Sequence, residues 1–159
     1  MSLIVRDATP ADLPAVLHIY NDAVSNTTAI WNETPVDLAN RQAWFDLRAT
    51  QGYPILVAEN AEGTVVGYAS LDPATAFLAS LYLAPAAQGR GVGRQMLDRI
   101  KAEAPGGFVL NVWQPNTAAR RFYEREGLAV AGESVDADGL PVWEMAWPGM
   151  STPDLGAPA

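Results

Sequence analysis

At 159 residues the chain has the size of one domain, since single domains commonly run to about 100–200 residues, and with 49% hydrophobic and 18% charged residues its composition excludes wholesale disorder. Ten Lys and Arg against eighteen Asp and Glu leave a net charge of −8, which argues against a general attraction to nucleic acid or to an anionic membrane surface, so any bound anion has to be held locally. The absence of cysteine and the single histidine, His18, exclude disulfides, thiolate zinc sites and a cysteine nucleophile, and leave neither a Ser-His-Asp triad nor a metal site to be expected. No run approaches about 18 apolar residues and the N-terminus lacks a basic flank, so no membrane span or signal peptide is expected and the cytoplasm is the expected compartment.

In chain order, residues 2–6 read as a short strand, and Thr9-Pro10-Ala11-Asp12 as an N-cap with proline at the first helical position. The helix that follows, about 10–25, carries Leu13, Val16, Leu17, Tyr20 and Val24 at three- and four-residue spacing, one stripe for a core. His18 falls beside that stripe and reads as a solvated or rim residue. The segment Asn26–Pro35 is rich in turn formers yet contains Trp31, a large aromatic suited to lining a pocket. A second helix is expected over 36–50, with Leu38, Trp44, Phe45 and Leu47 as its apolar residues. Residues 55–58 and 65–71 form a hairpin around Ala61-Glu62-Gly63, and a third strand, about 76–84, follows the Asp72-Pro73 turn. Then come a helix (90–104), a strand (107–113), a helix (116–126) and two strands (128–134 and 140–147) around Asp136-Ala137-Asp138-Gly139. This order implies a mixed α/β (α+β) domain over residues 1–147 with helices on the faces of a sheet. Residues 148–159, rich in Pro, Gly and Ala, read as a flexible tail.

The strongest chemical signal is Gln88-Gly89-Arg90-Gly91-Val92-Gly93-Arg94, between a strand and a helix whose apolar face is Val92, Met96, Leu97, Ile100 and Ala104. Glycines at such a junction let backbone N–H groups approach a ligand, and the helix start adds partial positive charge, which makes an anion cradle. First turns favour Asp or Glu, yet Arg90 and Arg94 stand here and no acid appears before Asp98, an arrangement that opposes the helix dipole unless a bound anion offsets it. Four of the ten basic residues, Arg90, Arg94, Arg99 and Lys101, fall within one twelve-residue stretch. A Walker A loop would need Lys followed by Ser or Thr, where Arg94-Gln95 stands. A dinucleotide fingerprint fails as well, with Met96 in place of its third glycine and no acid near Trp113 and Gln114.

The loop resembles the acyl-CoA motif of the GNAT superfamily of N-acetyltransferases, Gln/Arg-x-x-Gly-x-Gly/Ala, present as Gln88-Gly89-Arg90-Gly91-Val92-Gly93. Downstream, residues 116–128 are similar to the superfamily pattern N-x-x-A-x-x-F-Y-E-x-x-G-F, with Leu128 for the final Phe. The residues also speak for themselves: Asn116 is a good N-cap, Gly127 a good C-terminal cap, and Tyr123 lies two turns, about 10.5 Å, beyond Asn116 on the same side. The resemblance implies a twisted, mostly antiparallel sheet of six to seven strands with about four helices, and acetyl-CoA as cofactor. It places Leu81, Tyr82, Leu83, Gln88, Gly89, Arg90, Gly91, Val92, Gly93, Arg94, Asn116 and Ala119 against that cofactor, and makes Tyr123 the acid that protonates the departing sulfur.

Ile19-Tyr20-Asn21 and the 26–35 segment look like the phosphinothricin-type branch, which acetylates small amino-acid analogues. That branch carries a Glu-His pair in the strand before the cofactor loop, whereas Phe77–Leu83 contains neither residue, and the preceding loop is shortened to Asp72-Pro73-Ala74-Thr75 without the branch's arginine and tyrosine. The resemblance puts the 26–35 loop beside the thioester, and the aromatic and carboxylate in this turn-rich segment place the expected acceptor pocket between it and the strand around Ser80, with Trp31 as a wall and Glu33 as substrate contact or water-mediated base. With no Cys, and with Ser70 and Ser80 outside any nucleophile elbow, acetyl transfer goes directly to the amine. The expected activity is acetyl-CoA-dependent N-acetylation of a small primary amine, an amino acid or analogue. The alternatives are a protein or peptide N-acetyltransferase and a non-catalytic acyl-CoA sensor. A homodimer is compatible with this reading.

Overall fold

The computed structural model describes residues 3–26 and 34–150. Strand β1 (Ile4–Asp7) leads through a 3-10 turn (Pro10–Asp12) into helix α1 (Leu13–Asn26). Helix α2 (Leu38–Gln51) and strands β2 (Ile55–Glu59), β3 (Val65–Asp72) and β4 (Phe77–Leu83) follow. Then come α3 (Val92–Glu103), β5 (Phe108–Trp113), α4 (Thr117–Arg125), β6 (Ala129–Val135) and β7 (Pro141–Trp147). All seven strands join one sheet in the order β1-β2-β3-β4-β5-β7-β6, antiparallel except at β4–β5. The expected mixed sheet with four helices is the one observed. No described helix is long and apolar enough to cross a membrane.

Two cores lie on opposite faces of the sheet. Beneath α3, Met96, Leu97 and Ile100 pack with Leu56, Ala58, Ala69, Leu71, Leu78, Phe108 and Leu110. On the other face, Val16, Ile19, Tyr20 and Ala23 of α1 pack on Val57 and Tyr68. Strand β2 is thus covered on both sides, and Ile55, Leu56, Val57 and Ala58 are all buried, the unbroken apolar run that two-sided burial demands. In β5, by contrast, Phe108, Leu110 and Val112 are buried while Val109 and Asn111 alternate with them as exposed residues, the period of a strand packed on one face.

Helix faces differ in detail from the sequence reading. Ile19 and Ala23 belong to the buried stripe of α1, whereas Leu17 and Val24 lie at its half-buried edges. A stripe through residues 13, 17, 20 and 24 and one through 13, 16, 20 and 23 share members, and the rotation that seats the helix on Val57 and Tyr68 selects the second. In α2, Leu38 and Leu47 are exposed, and the sheet-facing side is Arg41, Trp44, Phe45 and Arg48, none of them fully buried. Arg41 sits over the rings of Tyr20 and Trp44 at 4.3 and 4.8 Å, so its charge is accommodated by aromatic faces. His18 is exposed, as expected of a rim residue. Near the C-terminus, the Met150 N–H donates to the Pro105 carbonyl at 2.9 Å, so backbone contacts run past the expected start of the tail at Pro148. Residues 151–159 lie outside the described residues.

Candidate active site

Strands β4 and β5 are joined at one end. Their parallel register contains the single pair Phe77↔Val109, with the Val109 N–H donating to the Ala76 carbonyl at 2.8 Å. β4 stays paired with β3 along Phe77–Leu83, and β5 stays paired with β7 along Phe108–Trp113. Each strand therefore keeps its outer partner while the two part from each other, and a wedge opens toward their C-terminal ends. In parallel-strand architectures such an opening beyond the carboxyl ends is where ligands bind.

Two cavities meet at this wedge. One of about 660 Å³ runs from Leu81, Tyr82 and Leu83 past the 88–94 loop to α4. One of about 250 Å³ fills the space between Ser80 and Tyr82 of β4 and Asn111 and Trp113 of β5. Leu81, Tyr82, Asn116, Ala119 and Tyr123 line both, so they form the shared wall.

The loop leading into α3 owes its form to Gly89 and Gly91, with φ of 76° and 80°, a left-handed conformation that glycine adopts at little cost. Gly91 is the N-cap residue of α3, no side chain caps this helix, and its first turn holds no acid. Its first N–H groups accordingly face the larger cleft without a side-chain acceptor. Gly93 allows α3 to approach α4: a Cβ there would lie 3.1 Å from Phe122 Cζ. Arg94, 72% exposed, makes a loose 3.7 Å ion pair with Glu126 at the cleft wall.

Helix α4 starts and stops as its sequence dictates. The Asn116 side chain accepts from the Ala119 N–H at 3.2 Å. At the other end, the Gly127 N–H donates to the Glu124 carbonyl and the Leu128 N–H to the Tyr123 carbonyl, at 3.2 and 3.0 Å, around Gly127 at φ 94°. This is a Schellman closure. It fixes the phase of the helix so that Asn116, Ala119 and Tyr123 all face the cavities. The Tyr123 ring packs edge-on against Phe122, centroids 5.1 Å apart. Burial, with a smaller contribution from Tyr82, pushes the Tyr123 phenol well above its ordinary range, so it keeps its proton at any physiological pH and is a donor, not a base.

Of the residues singled out in the sequence, Leu81, Tyr82, Leu83, Gln88, Gly89, Gly91, Gly93, Arg94, Asn116, Ala119 and Tyr123 line the larger cleft, and Ser80 lines the smaller cavity. Arg90 and Val92 are absent from both linings. Arg90 is exposed and outside the lining, because the two left-handed glycines flanking it make a tight turn with Arg90 at its tip. The Val92 side chain is 8% exposed and belongs to the core under α3. Trp31 and Glu33 lie outside the described residues. The sequence reading missed Phe122, Arg125 and Glu126 in the larger cleft and Asn111, Trp113 and Asp136 in the smaller one. Alternation within 107–113 was the available signal for Asn111 and Trp113. Nothing local marks Asp136 beyond its place in a turn.

The model of the acetyltransferase (GNAT) family matches residues 16–128. An L-methionine sulfoximine/L-methionine sulfone acetyltransferase of Pseudomonas aeruginosa is 49% identical over 144 residues, 84% of each chain. Among solved structures, a ribosomal-protein-alanine N-acetyltransferase from Brucella melitensis superposes with a TM-score of 0.80 at 39% identity, covering 90% of this chain and 98% of that one. The yncA acetyltransferase of Salmonella typhimurium, solved with its cofactor acetyl-CoA, gives a TM-score of 0.80 at 34% identity, covering 98% and 99%. With the split sheet, the open start of α3 and the Asn116–Tyr123 face of α4 all in place, the chain belongs to the acetyltransferase (GNAT) family.

Proposed function

We propose that the protein transfers the acetyl group of acetyl-CoA to the amine of a small amino-acid-like acceptor. The observation that carries this reading is the wall shared by two cavities, one at the uncapped start of α3 and one in the β4/β5 wedge, with Tyr123 on that wall. The residues present fit acetyl-CoA. Backbone N–H groups of the 88–94 loop and the α3 start would hold its pyrophosphate, and Arg94 adds positive charge in an otherwise acidic chain. Bound there, acetyl-CoA supplies an activated thioester carbonyl.

This chain's own residues do the rest. Leu81–Leu83 lie along the wedge where β4 has no β5 partner, so those of their backbone polar groups that do not pair with β3 are available to orient an extended arm. Tyr123, held protonated by its surroundings, delivers a proton to the sulfur as it departs. Neither Ser70 nor Ser80 has a histidine to activate it, since the one histidine is exposed on α1, so the amine attacks directly and no acyl-enzyme forms. The choice of acceptor follows the named activity of the Pseudomonas relative, on L-methionine sulfoximine and L-methionine sulfone.

The test is acetyl-CoA-dependent thiol release with L-methionine sulfone, L-methionine sulfoximine, phosphinothricin and a set of short peptides, with the products identified by mass. Turnover of the amino-acid analogues well above that of the peptides is expected. Preference for peptide N-termini or lysines moves the substrate class to proteins, and tight acetyl-CoA binding without turnover of any amine makes the protein a sensor. Tyr123→Phe should keep acetyl-CoA affinity and lower kcat by about 10²–10⁴-fold.

A further inference from the structure

An amine reaches an active site at neutral pH as an ammonium ion, which is not a nucleophile. The site has to attract the cation and remove one proton before an N–C bond can form. The strand before the cofactor loop supplies no carboxylate for either task, since none stands between Phe77 and Leu83.

The smaller cavity does contain a carboxylate. Of its lining residues Asp136 alone carries one, and it shares the lining with aromatic surface from Tyr82, Trp113 and Tyr123. The fold explains how a turn residue arrives there. β7 pairs with β5 so that Val142 stands beside Trp113, β6 pairs with β7 so that Val135 stands beside Pro141, and the Gln114 N–H donates to the Pro141 carbonyl at 3.0 Å. The β6–β7 turn is thereby carried to the C-terminal end of β5, the open end of the wedge. The turn is also stiff. Asp136 Oδ1 accepts from the Asp138 and Leu140 N–H groups, each at 2.9 Å, and the Asp136 N–H donates to the Leu140 carbonyl at 2.9 Å. These bonds fix the carboxylate, so its presence in the cavity is a property of the turn and not of a mobile side chain.

We propose that Asp136 is the acceptor-binding carboxylate of this enzyme: it pairs with the ammonium of the amine in the smaller cavity and takes its first proton. The proposal rests on the acetyl-transfer reading above. The ammonium gives one proton to Asp136, which passes it to solvent. The nitrogen lone pair then forms the N–C bond while the C–S bond breaks. The sulfur leaves with the proton of Tyr123, and the second proton shed by the nitrogen returns to the Tyr123 oxygen. Acetylated amine, CoA thiol and one released proton balance the reaction. The aromatic walls assist by accepting the cation on their faces before it is neutralised.

Asp136→Asn separates this role from turn formation, because the amide oxygen still accepts the two backbone bonds at nearly constant shape. Two measurements are made on parent and variant: binding of L-methionine sulfone to protein saturated with CoA, and steady-state kinetics with acetyl-CoA. The variant should keep the melting temperature and acetyl-CoA affinity of the parent, bind the amine at least tenfold more weakly, and lose about 10²-fold or more in kcat/KM for the amine. Asp138→Asn removes the same charge from the same turn outside the cavity lining and should leave amine binding and kinetics unchanged. Parental amine binding and kinetics in Asp136→Asn overturn the proposal, as do equal losses in both variants, which would reduce Asp136 to the general charge of the turn. If Asp136→Asn does not fold, Asp136→Ser, whose hydroxyl can also accept the turn bonds, takes its place under the same criteria. A parent that binds the amine through Asp136 but never acetylates it contradicts the acetyl-transfer reading and leaves the binding site standing. A parent that binds no amine contradicts both.

Discussion

The four helices begin in two different ways. Ahead of α1, Asp12 Oδ2 accepts the Thr9 N–H at 2.8 Å and an Arg6 guanidinium bond of the same length. At α2, Asp37 accepts from the Asn40 N–H at 2.9 Å, and at α4 Asn116 accepts from the Ala119 N–H. At α2 and α4 a side chain caps a first-turn N–H; ahead of α1 none does, but the Asp12 carboxylate complements the dipole, so each of these starts is served by a side chain of the protein itself. The start of α3 is not: Gly91 offers no side chain, and arginine stands where an acid would complement the dipole. A missing cap costs a helix about 1 kcal/mol, and the cost falls on α3, whose first turn opens into the large cleft, while α4, whose first turn also lines it, is capped by Asn116. The difference teaches that, of these four starts, that of α3 is the one with N–H groups left for the pyrophosphate of the proposed function.

That comparison can be broken most forcefully at Gly91. Gly91→Glu places a negative charge in the cradle, and calorimetry should show acetyl-CoA affinity falling by at least about 100-fold, equivalent to about 2.8 kcal/mol. The left-handed backbone adds about 1–2 kcal/mol of destabilisation, so the titration is done below the variant's melting transition. Unchanged affinity would sink the contrast between α3 and its neighbours. Asn116→Ala sharpens it, because Asn116 both caps α4 and lines the two cavities. A loss of about 1 kcal/mol in unfolding free energy should come together with weaker acetyl-CoA binding, and a stability loss alone would restrict Asn116 to capping.

Asp37→Ala is the matched control. It should cost about 1 kcal/mol in denaturant unfolding and leave acetyl-CoA affinity untouched, since the α2 start is remote from the cleft lining. The smallest effect near neutrality concerns Asp12. Its hydrogen-bonded pairing with Arg6 holds the carboxyl below the usual range, against the opposing effect of burial. A carboxyl depressed in the folded state binds fewer protons there than in the unfolded chain, so its stabilisation is complete above the unfolded value of about 4 and is lost as pH falls through the lower folded value. Urea midpoints should therefore be flat from pH 6 to 8 on this account and drop below about pH 4, and Asp12→Asn should lessen that acid drop.

Legibility from sequence followed the range of the interaction. The glycine loop, the Asn116 cap, the Gly127 stop and the strand and helix order are written in short windows, because backbone conformation and periodicity depend on residues within a turn or two of each other. These features located the larger cleft. Which of two overlapping stripes on α1 is buried was not written there, since a helix can roll by one residue without changing its own hydrogen bonds, and only Val57 and Tyr68 beneath it decide. Where Arg90 stands was not written there either: its charge is visible in the sequence, its place at the tip of the turn is set by the paired left-handed glycines around it.

What the sequence by itself determined, then, is the set of elements, the glycine loop and the cavity-facing side of α4. Only the tertiary structure decided where the sheet parts and what reaches the gap. The wedge exists because β4 is held by β3 and β5 by β7 while one register pair joins the two, and Asp136 stands in it because two successive strand pairings carry its turn there. Both are consequences of hydrogen bonding between segments far apart in the chain, and no local pattern of residue types records which edges will pair and which will be left to separate.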